Sequence, residues 1–134
     1  RAMEDDRFAR GWATVQKING PGAQAIQDAL KDIAPDFAKF LVEFAFGDLY
    51  SRPALNLRER EIATIAALTA MGTAQPQLKA HIAGGLNAGL SREEIVEILR
   101  QMAIYAGVPA VLNGLEAARE VFAARETASP PPED

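Results

Sequence analysis

The apolar positions of this chain repeat at helical spacing from one end to the other, and no stretch alternates as a strand would. Over residues 4–18, Phe8, Trp12 and Val15 fall on one face, and Gly20-Pro21-Gly22 then breaks the chain. Ile26, Leu30 and Ile33 recur at helical spacing in a second segment. Pro35 ends or kinks it, because proline lacks the backbone N–H that a helix interior needs. Phe37, Phe40, Leu41 and Phe44 make the apolar stripe of a third helix. That helix is predicted to run to about Tyr50, with a loop at Arg52-Pro53 and Asn56.

The pattern changes at Leu57. Ile62-Ala63-Thr64-Ile65-Ala66-Ala67-Leu68 is apolar on nearly every side, which predicts a helix over 57–71 that is buried on most of its surface. Gly72 to Pro76 is the next break. Leu78, Ile82 and Leu86 then recur every four residues. Gly84, Gly85 and Ala88 are small enough to let another backbone come close, and Gly89 is a helix stop. Ser91-Arg92-Glu93-Glu94 is a capping box: the Ser91 hydroxyl can accept from the Glu94 amide while the Glu94 carboxylate reaches back. The helix it starts presents Ile95, Ile98, Leu99 and Met102. Gly107 and Pro109 separate it from a last helix with Val111, Leu115, Ala118 and Phe122. Residues 1–125 therefore read as a single helical domain, since the piece up to about residue 50 is too short for a core of its own. Residues 126–134, with Pro130-Pro131-Pro132, read as a disordered tail.

Composition narrows the partners. Hydrophobic residues make up 49% of 134 residues, enough for one real core. The formal net charge is −4, with acids and bases interspersed and no basic stripe, so nucleic acid is not an expected partner. No apolar run approaches the ~20 residues of a membrane span, and no signal-peptide pattern is present. This composition suits the cytoplasm. There is no cysteine, which removes disulfides, thiolate metal sites and thiol redox chemistry together. A single histidine makes a conventional zinc site untenable, and no metal is expected.

That histidine, His81, lies three residues after Leu78 and one before Ile82, on or beside an apolar helix face. It reads either as a core histidine satisfied by one carboxylate or carbonyl, or as a proton donor in a dry pocket. Arg58-Glu59-Arg60-Glu61 opens the most apolar helix. Its plain reading is a solvated first turn with acids at the positive helix end. Arg60 and Glu61 adjoin Ile62, so one of them can point inward. A buried arginine there would offer its planar fork to a carboxylate. Tyr105, in Ile104-Tyr105-Ala106-Gly107, reads as a core tyrosine or as a hydroxyl projected into a cavity. Asp48 and Arg52 stand at (i, i+4), a weak pair on a helix. No phosphate-binding glycine loop, nucleophile elbow or dinucleotide fingerprint is present.

The order of several elements is more specific. Gly47-Asp48-Leu49-Tyr50-Ser51-Arg52-Pro53 is followed by Arg60-Glu61-Ile62-Ala63-Thr64-Ile65-Ala66 and Leu78-Lys79-Ala80-His81-Ile82. Asn87-Ala88-Gly89-Leu90-Ser91-Arg92-Glu93-Glu94-Ile95 and Ala103-Ile104-Tyr105-Ala106-Gly107-Val108-Pro109-Ala110 complete the series. This block resembles the carboxymuconolactone decarboxylase family, within the larger group that includes AhpD-type alkylhydroperoxidases. The resemblance implies an all-α, AhpD-like bundle of about six to seven helices that assembles as a homo-oligomer, a trimer or hexamer. The redox branch of the group carries a Cys-x-x-Cys pair just before its histidine; here Ala74 and Gln77 hold those places. A thiol peroxidase is therefore excluded, and the lactone decarboxylase branch is the one resembled.

Lactone decarboxylases of this kind convert 4-carboxymuconolactone to an enol-lactone during protocatechuate breakdown, in aromatic catabolism. The resemblance implies no cofactor, because the lactone carbonyl can itself take up the electrons released with carbon dioxide. It implies His81 as the group that donates a hydrogen bond or proton to the enolate. Arg60, with Arg52, would hold a carboxylate; Tyr105 would contact the lactone oxygen or shape the pocket; Glu61 would orient His81 or an arginine. Two other readings stand beside it: a lactone hydrolase or isomerase on the same scaffold, and a non-catalytic oligomeric binding protein.

Overall fold

A computed structural model of the chain describes residues 2–128, with side chains from Asp6 onward. Among the described residues every regular element is helical, so the all-α expectation holds. No helix among the described residues is long and apolar enough to cross a membrane. The chain forms two compact units, residues 1–60 and 61–134.

In the first unit, α1 (Ala2–Asn19) leads through a single 3₁₀ turn at Gly20–Gly22 to the short α2 (Gln24–Asp28) and then α3 (Pro35–Leu41). A π-helical segment, Val42–Tyr50, continues α3 directly. Val15 and Ile18 of α1 are buried with Ala23, Val42 and Phe46, and Phe8 stacks on Trp12 at the edge of this cluster. The second predicted segment is shorter than its periodicity suggested. Helix α2 stops at Asp28, and Ile33 is 80% exposed. Residues 29–33 continue as turns, and Pro35 disfavours helical geometry in the residue before it. Ala34 is accordingly extended (φ −156°), and Pro35 sits in the first turn of α3, where its missing N–H costs nothing.

The aromatic stripe is a second correction. Phe37, Phe40 and Phe44 are more than half exposed, while Ala38, Val42 and Phe46 face the core. What selects the inner face is a backbone contact. A Cβ on Gly11 would lie 2.1 Å from the Val42 carbonyl oxygen, and one on Gly47 would lie 2.6 Å from the Arg7 carbonyl oxygen. Helix α1 and the π-helical segment thus touch main chain to main chain at two glycines, which turns Val42 inward and the phenylalanines outward. Polar side chains frame the crossing. Arg7 grips both Asp48 oxygens (3.0 and 2.7 Å), Arg10 donates to the Gly47 carbonyl, and the Thr14 and Ser51 hydroxyls meet at 2.8 Å.

The second unit begins inside α4 (Leu57–Met71), whose first turn belongs to the first unit. It continues with α5 (Gln75–Asn87), α6 (Arg92–Gln101), the short α7 (Ala103–Ala106) and α8 (Val108–Ala128). Its core is Ile65, Leu78, Ile82, Leu90, Ile95, Leu99, Ala117 and Ala118. The expected stop at Gly89 is realised with φ +103°. The Leu90 amide donates to the Gly85 carbonyl and the Gly89 amide to Leu86, the paired bonds of a left-handed helix end. Ser91 and Glu94 form both bonds of the capping box. Unforeseen was an equivalent pair at the start of α4, where the Asn56 side chain accepts from the Glu59 amide and Glu59 accepts from the Asn56 amide.

Two expectations for this unit change. Helix α4 buries only one line, Glu61, Ile65 and Thr69, while Ala63, Ala67, Ala70 and Met71 are exposed. Its apolar character all round comes from alanines, whose small side chains leave the outer face open. The small residues at the end of α5 admit side chains rather than a backbone, since a Cβ on Gly85 would meet Leu90 Cδ1 at 2.9 Å and Ile65 Cδ1 at 3.0 Å. Residues 126–128, expected in the tail, extend α8, held by the Arg92–Glu126 ion pair (2.6 Å) and by Arg92 over the Phe122 ring. The rest of that tail, 129–134, lies outside the described residues.

The two kinds of glycine contact predict different costs. Gly11→Ala pushes a methyl into backbone that cannot yield and should destabilise the fold by ~3 kcal/mol or more. Gly85→Ala meets the ends of flexible side chains and should cost only about 1 kcal/mol. Urea unfolding of the two variants checks this ordering; equal losses would mean the α1 crossing is not rigid.

Candidate active site

Helix α4 aims its first inward residue, Glu61, into the core, and no part of that side chain reaches solvent. A carboxylate in that position cannot stay unpaired, since an uncompensated buried charge costs several kcal/mol. Helix α5 supplies the partner. His81 Nδ1 lies 2.9 Å from Glu61 Oε2 and 3.3 Å from Oε1. The position of His81 follows from the spacing noted above: Leu78 and Ile82 anchor α5 in the core, and the residue between them emerges beside that face. Its side chain is 24% exposed. The pair therefore has one end sealed in the protein and the other at the edge of solvent.

This geometry sets the chemistry of the ring. An ionised carboxylate only accepts hydrogen bonds, so Nδ1 carries the proton and donates it to Glu61. Nε2 is then the position at which the ring takes up or gives a proton. A neutral ring offers a base there and a charged ring an acid, while Glu61 balances the charge. The other acid at the start of α4, Glu59, is exposed and caps the helix, so the two glutamates have separate tasks.

Arg60 donates through Nη2 to the Arg52 carbonyl (3.0 Å), and its Nε is buried with no hydrogen-bond partner among the described residues. Arg52 itself is exposed and lines a cleft in the first unit. Asp48, placed with Arg52 by the (i, i+4) spacing, is instead held by Arg7 and Arg10 of α1. The hydrogen bonds from Arg7 hold the Asp48 carboxyl below the usual carboxylate range. Tyr105 is 74% exposed on α7 and faces outward beside Ile104. No group of three or more His, Asp or Glu side chains among the described residues is placed to hold a metal ion. One buried acid was overlooked by sequence reasoning: Glu43, 7% exposed in the π-helical segment. Its only signal was a lone charge within the apolar run Val42-Glu43-Phe44-Ala45-Phe46.

Comparison with known proteins gives concordant results. The model of the Carboxymuconolactone decarboxylase family matches residues 35–120. Over 93 residues the chain is 37% identical to a 4-carboxymuconolactone decarboxylase of Acinetobacter baylyi, covering 69% of each chain. It is 34% identical over 96 residues to an uncharacterized 15.0 kDa protein of Paracoccus denitrificans, covering 71% of this chain and 72% of that one. It is 26% identical over 97 residues to a nitrosuccinic acid decarboxylase of Metarhizium robertsii, covering 70% and 67%.

The chain has a single histidine, so its ring signals are unambiguous. Nitrogen NMR of the imidazole at neutral pH should show the proton on Nδ1 in the wild type. Glu61→Leu should move the ring toward the Nε2–H form that an unpaired histidine side chain prefers. A wild-type ring already in the Nε2–H form would refute the donor assignment.

Proposed function

The chain belongs to the carboxymuconolactone decarboxylase family, and from that membership we propose that it decarboxylates a small carboxylated lactone of the 4-carboxymuconolactone type, in aromatic catabolism, without a cofactor. The observation that carries this reading is the buried Glu61 bonded to the partly exposed His81, a proton-handling couple fixed before any substrate arrives. In such a lactone the departing carboxylate sits on a ring carbon joined through a double bond to the lactone carbonyl. As the C–C bond breaks, its electron pair moves through that double bond onto the carbonyl oxygen, giving an enolate and carbon dioxide. His81, protonated at Nε2, donates to the enolate and delivers the proton that restores a neutral lactone. Glu61 keeps the ring aimed and offsets its charge. Hydrogen-bond donors directed at a developing oxyanion contribute ~3 kcal/mol each, and a positioned acid adds a factor of ~10²–10⁴.

The named relatives support a decarboxylation of this electronic type. Nitrosuccinic acid offers a nitro group as electron acceptor where carboxymuconolactone offers a vinylogous carbonyl. Two further roles are proposed on side-chain chemistry alone. The guanidinium of Arg60 or Arg52 holds a substrate carboxylate, and the Tyr105 phenol contacts the lactone oxygen. A hydrolase or isomerase reading differs in its product, ring opening or rearrangement with no loss of carbon dioxide. A pure binding role predicts no turnover at all.

We also propose that the working form is a homo-oligomer, a trimer or hexamer. Phe37, Phe40 and Phe44 form an exposed aromatic row on the first unit, and Ile104, Tyr105, Val108 and Leu112 an exposed apolar patch on the second. Surfaces of this kind mark interaction sites.

Carbon dioxide release from 4-carboxymuconolactone is the direct test. His81→Gln should lower kcat by about 10²-fold or more, because glutamine can bond Glu61 but cannot exchange a proton. Unchanged turnover in that variant, or ring opening without carbon dioxide, would sink the proposal. For the assembly, sedimentation should show a species larger than one chain, and Phe40→Lys should shift it toward the monomer; a wild-type monomer at micromolar concentration would overturn it.

A further inference from the structure

The π-helical segment Val42–Tyr50 ends in a network that ties it to α1. The last carbonyls of a helix have no partner within it, and two of them here are met by side chains. The Gly47 carbonyl accepts from Arg10 Nε (2.9 Å), and the Phe46 carbonyl accepts from the Ser51 hydroxyl. The Thr14 and Ser51 oxygens lie 2.8 Å apart. Each hydroxyl has one proton, and Ser51 gives its own to Phe46, so Thr14 is the donor between them. Thr14 is buried on α1, and its contact to the Arg10 carbonyl is the longer one, 3.3 Å. Ser51 is thus the joint at which α1 holds the chain as it leaves the helix.

The next residue is Arg52, whose main chain is held on both sides. Its amide donates to the Leu49 carbonyl (3.2 Å), and its carbonyl accepts from Arg60 Nη2 (3.0 Å). Pro53 follows and restricts the backbone of the residue before it. The Arg52 side chain, by contrast, is exposed. A guanidinium on a long stem loses less freedom on binding an anion when its backbone is already fixed. Arg60, with Nη2 on the Arg52 carbonyl, is oriented by the same stretch of main chain. The two arginines therefore share one anchor, and that anchor begins at the Thr14–Ser51 contact.

We propose that Ser51 is a positioning residue for Arg52 and Arg60, and that Thr14 holds Ser51 in place. The inference rests on the carboxylate-binding role proposed above for those arginines. It adds that the hydroxyl contact governs how tightly the substrate is held, while the proton chemistry of the Glu61–His81 pair does not depend on it.

Steady-state kinetics with 4-carboxymuconolactone read the first consequence. Ser51→Ala and Thr14→Val each remove the hydroxyl contact. Each should raise KM about tenfold, the loss of roughly one hydrogen bond, with kcat within about twofold of wild type and the same pH profile. Thr14→Ser keeps the hydroxyl and should keep the wild-type KM. A hydroxyl that only stabilised the fold would leave KM unchanged in the folded fraction, which circular dichroism melts measure. Amide hydrogen exchange needs no substrate. The Arg52 amide should exchange about tenfold faster in Ser51→Ala and in Thr14→Val, with Ile65 and Ile82 of the second unit unchanged. Wild-type KM in both variants, a fall in kcat at constant KM, a raised KM in Thr14→Ser, or unchanged Arg52 exchange would overturn the proposal. If the wild type does not turn over the lactone, the decarboxylase reading fails and exchange still decides the anchor: faster Arg52 exchange sustains it, and unchanged exchange overturns it.

Discussion

A carboxylate enclosed by a helical core must be matched by a group that both donates a hydrogen bond and tolerates charge, and for Glu61 that group is His81. The rest of the second unit is arranged so that this match can be made. Ile65 and Thr69 continue the inward line that begins at Glu61, and Leu78 and Ile82 hold α5 so that His81 emerges between them. The close turn at Gly89 then brings Leu90 back over Gly85, filling the space beside the pair with hydrocarbon. Hydrocarbon excludes the water that would otherwise weaken the bond. The imidazole is therefore oriented by the fold itself. In the proposed reaction, a ring held in this way would need no reorganisation on binding substrate, which is the larger part of what a preorganised site contributes.

What the sequence made legible divides along the range of the interactions involved. Helix ends fixed by neighbouring residues were readable: the Ser91 capping box, the Gly89 stop and the bounds of α4 all depend on contacts within a few positions. Choices of face were not. The row Phe37, Phe40 and Phe44 has the periodicity of a buried stripe, yet Val42 and Phe46 are the residues turned inward. The deciding contact, Gly11 and Gly47 against opposing backbone, joins positions far apart in the chain and leaves no periodic trace. Asp48 shows the same limit, because its (i, i+4) neighbour Arg52 was visible in sequence while its actual partner Arg7 was 41 positions away.

The candidate site was readable in part, for a related reason. A lone histidine on an apolar face draws notice in any sequence. Glu61 is one of several charges in Arg58-Glu59-Arg60-Glu61; its place beside Ile62 marks it or Arg60 as able to point inward, and only the burial pattern shows that Glu61 is fully enclosed. Tyr105 has small neighbours in the sequence, and it is 74% exposed on a four-residue helix. Small neighbours predict room, but not on which side the room lies.

Charge gives the last constraint. A carboxylated ligand approaching a chain of net charge −4 meets mild repulsion unless positive groups are concentrated where it docks. Several of the basic residues are not available for that purpose. Arg7 is spent on Asp48, Arg92 on Glu126, Lys79 on Glu120, and Arg100 and Arg119 on acids one turn away. An exposed pair of that kind contributes little to stability, but it cancels the field of its cation. Against this background, cations without acidic partners carry most of the attraction available to an anionic ligand. Lys17 and Arg52 stand in one cleft with no acid in its wall, so the positive field there is set by those local charges rather than by the total charge.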